Sequence, residues 1–413
     1  MRIVIAGGGI AGLVTALLLH DAGIECAVYE RGSQIRGLGV GINVLPQAVA
    51  PLARIGLLDR LAGAAVRTAE LRYTHRLGQE ILRRPCGLAA GSEVPQLSIH
   101  RGRLLNVLYD AVRERLGADA VRTGHRLTAF TQDDAGVRAE FADPEGRTAG
   151  TAEGDVLVGA DGIHSTVRAE LAPGEGPPRW NGVLMWRGAA EWPAFLGGST
   201  MIVAGGNAAK LVLYPIAAGR TPETRLTNWA LCVQLAKPGT PPPVRADWTR
   251  PGDPAEALAH LRRFASPHVD VAGLVGATER FYEYPMCDRD PLPGWTRGRV
   301  TLLGDAAHPM YPMGSNGAGQ AVLDAVSLCA ALRDAAGPRD ALRAYEEARR
   351  PVTADLVLRN RVGGPERVID EVERRAPDGF TDLADVIEPA ELDAIIAGYQ
   401  AVSGGQAPPR AQA

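Results

Sequence analysis

The chain has 413 residues, 46% of them apolar, and a formal charge of −3, which predicts a large core shared by two interlocked domains. Arg supplies nearly all of the positive charge, with Lys only at Lys210 and Lys237, and no basic block or basic–aromatic run points to a nucleic-acid surface. The five cysteines (Cys26, Cys86, Cys232, Cys287, Cys329) are scattered without a C-x-x-C, so they read as reduced thiols in a cytoplasmic protein, with neither disulfides nor zinc.

Met1 to Ala6 is apolar and runs straight into glycines, so it reads as a strand and not as a signal peptide. No run of about 18 apolar residues predicts a membrane span. The opening "MRIVIAGGGIAGLVTALLLHDAGIECAVYE" spells strand, glycine turn, helix and second strand. Gly7, Gly9 and Gly12 supply G-x-G-x-x-G, with Ala11 inside it. The first glycine permits the turn, the second lets backbone approach a pyrophosphate, and the third allows close helix–strand packing. Glu30 follows Gly7 by 23 residues, at the end of the second strand, where it would bind both ribose hydroxyls of an adenosine. A dinucleotide site is expected. The next segment, "RGSQIRGLGVGINVLPQAV", is too glycine-rich for a helix and too long for a turn. Such a glycine-lined stretch suits FAD, whose second ring must lie against backbone, better than NAD. Helical "PQAVAPLARIGLLDRLAG" comes next.

Two later segments repeat the strand-end pattern. In "GDVLVGADGIHSTVRAEL" a short buried strand delivers Asp161 to the carboxyl edge of a sheet, and Ser165 would cap the following helix. Asp161 also has a plain reading, as a turn or helix-start residue. In "GRVTLLGDAAH" Asp305 falls at a strand tip, and an amphipathic helix begins near Gly317. Three strand tips would then share one edge. Asp305 would accept a hydrogen bond from a ribityl hydroxyl, while the amides of Gly317 and Ala318 face the flavin edge that becomes negative on reduction.

"GGGIAGL", "VGADGIHSTVR" and "LLGDAAHPMYPMGSNGAGQAVLDA" together resemble the single-component (class A) flavin-dependent aromatic hydroxylases, and the resemblance spans nearly the whole chain. "GLGVGINVLPQAV", "LSIHRGRLLNVLYDAVRERLG", "MWRGAAEW" and "EYPMCDRDPLPGW" are similar, more narrowly, to the phenazine-carboxylate monooxygenases of pyocyanin biosynthesis. The resemblance implies an α/β fold like that of p-hydroxybenzoate hydroxylase. A Rossmann-like FAD-binding domain (1–71, 96–182, 287–363) is interlaced with a mostly antiparallel β-sheet substrate domain (72–95, 183–286). A C-terminal helical segment (364–400) and a disordered tail (401–413) follow. It also implies FAD contacts at Glu30, Arg31, Gly41, Arg101, Asp161 and Asp305, of which Arg101 makes independent sense as a guanidinium beside a pyrophosphate.

The implied reaction is hydroxylation of a phenazine-type or hydroxybenzoate-type acid, with or without decarboxylation. NADH or NADPH reduces FAD, and O2 is trapped as a C4a-hydroperoxide. With no second G-x-G-x-x-G, NAD(P)H would dock transiently near Asp161 and Arg168. The alternatives are a flavin oxidase or dehydrogenase and a non-catalytic flavin- or NAD-binding module. Tyr73, Trp186, Met201, Tyr214 and Met313 are candidates for the wall of the substrate pocket, against the alternative that each packs in the core. His308, beside Pro309, can be read as a general base, but a structural or flavin-packing role is expected of it. No metal spacing or nucleophile motif stands out, and the flavin carries the chemistry. The expected partners are the small aromatic substrate, O2 and NAD(P)H, with no nucleic acid or membrane, in a monomer or homodimer.

Overall fold

A computed structural model describes residues 1–35, 37, 39–242 and 250–403. Arg36 and Leu38 of the glycine-rich stretch, residues 243–249, and residues 404–413 of the expected tail lie outside the described residues. Ala401 to Ser403, also assigned to the tail, instead complete the last helix, Pro389–Ser403, where Ser403 is buried. Among the described residues no helix is long and apolar enough to cross a membrane.

Ile3, Val4 and Ile5 form a continuous apolar run because their strand, Arg2–Ala6, is covered on both faces. It lies between Glu25–Glu30 and Val156–Gly159, parallel to both, and Val300–Leu302 pairs parallel to the latter. The sheet has six strands, closed by Val121–Thr123 at one edge and Thr296–Arg297 at the other. Alternation sends Ile5 toward the first helix, Ile10–Asp21, at Gly12, and Val4 toward an antiparallel three-stranded layer at Gly154. The tips that carry Gly7, Asp161 and Asp305 are therefore neighbours. The helical stretch after Val44 is two helices and not one. Pro46–Arg54 and Leu58–Gly63 are separated at Gly56, whose φ of +74° no right-handed helix accommodates.

The second large sheet has seven strands, in the order Phe281–Asp288, Arg179–Pro193, Thr224–Gln234, Ala209–Ala218, Thr200–Ala204, Glu70–Thr74 and Glu80–Pro85. Its pairings are antiparallel except Thr200–Ala204 with Glu70–Thr74. Period-two alternation separates its faces. Leu184 and Trp186 join Leu211, Leu213, Trp229 and Leu231 in a core completed by Ala257, Leu261 and Leu274 of two short helices. Val183 and Met185 turn the other way, to Cys232, Tyr284, Met286, Tyr311 and Met313.

Trp186 is thus no part of the pocket wall. It is fully buried on the far face, its ring 5.4 Å from that of His260. Trp186→Ala should destabilise the protein by about 3–5 kcal/mol, the cost of a large core cavity, and leave substrate affinity unchanged. Urea denaturation and substrate titration check the two halves, and a shifted affinity with normal stability would return Trp186 to the pocket.

Candidate active site

Gly7 has φ +113°, and a Cβ there would stand 2.2 Å from the carbonyl oxygen of Ala160. A Cβ on Gly12 would stand 2.0 Å from Gly7 O. Both glycines let protein backbone meet protein backbone. Gly9 differs, because no atom lies within 4 Å of its Cβ direction. It opens the first helix with neither a side-chain cap nor an acid in the first turn, leaving N–H groups and the positive dipole end for an anion. Ala11 is a packing residue, its Cβ 3.0 Å from where one on Gly304 would be.

Glu30 was expected to find its partners on a ligand, but it already has two in the protein. Its carboxylate accepts from Gly8 N (2.8 Å) and Gly32 N (2.7 Å), tying the glycine turn to the second strand. Arg31 follows it, exposed.

Asp161 serves the short helix Thr166–Leu171. Its carboxylate accepts from Thr166 N (2.7 Å) and the Ser165 hydroxyl (2.5 Å), and Ser165 caps Arg168 N at 2.9 Å. Burial raises its pKa, and those hydrogen bonds oppose the rise. Arg168 is 1% exposed and donates to the carbonyls of Ala306 (3.1 Å) and Ala307 (2.6 Å) while pairing with Glu175. The Arg168 guanidinium is thus spent on holding the Asp305 turn.

Asp305 lies on the 3-10 turn Gly304–Ala306, with its side chain accessible. Desolvation by the surrounding protein pushes its carboxyl above the usual range, while His308 and Arg101 oppose that shift. Arg101 opens the helix Arg101–Leu116, and its N–H donates to Val40 O at 2.8 Å. His308 is buried behind the turn, Nε2 at 2.5 Å from Asp324, with Nδ1 lacking a hydrogen-bond partner among the described residues. Asp324 also accepts from Gly304 N (3.1 Å) and Arg349 (2.8 Å). His308 is held as a brace, and Pro309 beside it is buried. The helix Gly317–Asp334 then begins with no side-chain cap, with open space at Gly317 and a half-buried Ala318. Among the described residues, the buried Oδ1 of Asn316 has no hydrogen-bond partner.

The sheet wall meets this edge at Gly41, whose N–H donates to Asn228 Oδ1 at 2.7 Å and whose Cβ direction runs into Tyr214. Tyr73, Met201 and Tyr214 share a cluster with Val368, Ile369 and Ile396 of the C-terminal helices, and Met201 receives Asn43 Nδ2 at 3.5 Å. Met313 sits in the neighbouring cluster. Arg187, which sequence reasoning missed, points to this face as Trp186 points away. Desolvation brings its guanidinium down to about 9, with Arg101 adding to the effect and Tyr214 and Tyr284 opposing it. Its only signal was a cation next to a core tryptophan in an alternating strand.

Two uncapped helix starts, an accessible carboxylate and the open Gly9 fit FAD, whose pyrophosphate, ribityl chain and ring need anion donors, a hydroxyl acceptor and amides in that order. Gly9→Ala should leave the apo fold unchanged and weaken FAD binding by about tenfold or more, roughly 1.4 kcal/mol. Gly12→Ala should instead destabilise the apo protein by about 1–3 kcal/mol through the clash with Gly7. Thermal melts and FAD titration separate the two, and equal effects would put Gly9 in ordinary packing.

The FAD binding domain family matches residues 1–360. The chain is 46% identical over 365 residues to phenazine 1,6-dicarboxylic acid hydroxylase PhzS of Lysobacter antibioticus, covering 87% of this chain and 89% of that one. It is 36% identical over 375 residues to 3-amino-4-hydroxybenzoate 2-monooxygenase PtmB3 of Streptomyces platensis, covering 88% of each. The crystal structure of HpxO of Klebsiella pneumoniae complexed with FAD and uric acid superimposes with a TM-score of 0.72 at 25% identity, covering 98% of this chain and 93% of that one. The α/β architecture is that of the class A hydroxylases. The chain belongs to the FAD binding domain family and is an oxidoreductase of the FAD-dependent monooxygenase type.

Proposed function

We propose that the protein hydroxylates a carboxylated aromatic ring, of the phenazine or hydroxybenzoate class, at the expense of NAD(P)H and O2. The observation that carries this reading is Arg187, a cation buried on the sheet face opposite the Trp186 core, the face of Met185, Tyr284 and Met313. A substrate carboxylate would be charge-complementary there. The two relatives named above act, by name, on a phenazine dicarboxylic acid and an aminohydroxybenzoate.

When bound, FAD supplies the redox chemistry, passing two electrons from NAD(P)H to O2 so that one oxygen atom enters the ring and the other leaves as water. The chain binds and orients. The first helix start and Arg101 take the pyrophosphate, with Glu30 and Arg31 toward the adenosine. Asp305 accepts from a ribityl hydroxyl, and Gly41, which has no side chain, lets its strand close on Asn228 and Tyr214 of the sheet wall beside the ring. The amides of Gly317 and Ala318 favour negative charge on the ring edge near them. Asp161 acts through the helix that positions the Asp305 turn. Met313 and Tyr214, with Met201 and Tyr73 behind, exclude water from the reacting ring. His308 moves no proton in this scheme, since one ring nitrogen is engaged by Asp324 and the ring is buried. NAD(P)H docks transiently, and decarboxylation accompanies hydroxylation only where the attacked carbon bears the carboxylate.

Anaerobic stopped-flow bleaching with NADH should run faster when a hydroxylatable aromatic acid is present, because substrate binding gates the access of the nicotinamide to the flavin. Under air, labelled O2 should place one atom in the product. Arg187→Met should raise KM for carboxylated rings by about tenfold or more, in line with the loss of a charged hydrogen bond worth about 1.5–3 kcal/mol, and spare NADH oxidation without substrate. Oxidation of an organic substrate to peroxide with no NAD(P)H present would assign an oxidase instead.

A further inference from the structure

Residues 361–403 lie beyond the stretch that the FAD binding domain family matches, yet they return to the turn just before Gly317. Tyr399, buried on the last helix, accepts from Asn316 Nδ2 at 3.0 Å and donates to Asn360 Oδ1 at 2.7 Å. Met313 O lies 3.2 Å from the same hydroxyl. Asn360 in turn donates to Tyr311 O at 2.9 Å, and Asn316 to Gly314 O at 3.1 Å. Glu366 accepts from Gly314 N at 3.2 Å and pairs with the buried Lys210, whose Nζ is 2.8 Å from Met313 Sδ. One turn further, Gln320 Nε2 donates to Ser403 O at 3.2 Å.

The backbone held this way is not one the chain adopts freely. Gly314 has φ +62°, and Ser315, which carries a side chain, has φ +57°. Left-handed non-glycine residues persist where their surroundings over-determine them. A Cβ on Gly314 would lie 2.9 Å from the Tyr399 ring and 3.1 Å from Pro365, so the glycine admits the clamp at close range.

We propose that Tyr399 is a positioning residue. From the C-terminal helix it fixes the turn Met313–Asn316, and through it the free amide end of the helix Gly317–Asp334 against the flavin ring. The proposal rests on the FAD site described above. Donors that stabilise developing charge act only if held at their place, so a released turn weakens them without emptying the site.

Tyr399→Phe in the full chain keeps the ring and removes only the hydroxyl. The expected result is one FAD per chain with a more negative two-electron potential, by about tenfold in the equilibrium or roughly 30 mV. Amide hydrogen exchange at residues 313–320 should accelerate at least about tenfold, while that of Arg2–Ala6 stays as in the wild type. Should this variant fail to fold, Asn316→Ala removes the same hydrogen bond from the other side and carries the same two readouts. A lower melting temperature with unchanged potential and unchanged local exchange would reduce Tyr399 to a packing residue and overturn the proposal. A wild-type chain that takes up no flavin would overturn the site itself, and the proposal with it.

Discussion

Backbone touching backbone at the strand tips is the constraint on which the cofactor edge depends. Gly7 against Ala160 and Gly12 against Gly7 bring the first helix and two parallel strands closer than any Cβ allows, and Gly304 packs tightly on the Cβ atoms of Ala11 and Ala321. A helix start is useful to an anion only when its N–H groups can be reached, and reach here is set by these contacts. Gly9, next to them and open in its Cβ direction among the described residues, is what the close packing leaves available.

Buried charge then locks the edge in place. Arg168 spans from its own short helix to the carbonyls of Ala306 and Ala307, and Asp324 gathers His308, Arg349 and the N–H of Gly304. Such groups add little net stability once desolvation is counted, but an unpaired member is costly, so they select one arrangement. The arrangement selected is the Asp305 turn at the mouth of the cleft. Asp161 contributes at one remove, by starting the helix that carries Arg168.

The α/β order and the shared edge were legible because parallel, doubly covered strands leave uninterrupted apolar runs, and each run here ends on Gly or Asp. Helix starts at Ser165 and Gly317 were legible from local chemistry alone. What could not be read was direction and partnership. Whether Trp186 or Arg187 faces the cleft depends on which sheet face the short helices cover, and a single strand's alternation does not say. The acceptors of Arg168 are 138 and 139 residues away, so its role as a tie and not a ligand contact had no local sign. Glu30 was placed at the right strand end, while its hydrogen bonds to Gly8 and Gly32 follow from a turn geometry that the motif leaves open.

The two sides of the cleft are made differently, and that difference governs what each can specify. The cofactor side is glycine, backbone amide and one carboxylate, groups whose use by a ligand depends on position and hardly at all on neighbouring side chains. The other side is a sheet face carrying Met, Tyr, Cys and Arg187, packed in part on the C-terminal helices, and it is the side proposed to receive the substrate. A change of one side chain there would alter the shape or charge of that face without disturbing a single close contact at Gly7, Gly12 or Gly304. Substrate choice can thus diverge within a fixed flavin scaffold. The same separation explains why the cofactor is written in motifs and the substrate is not.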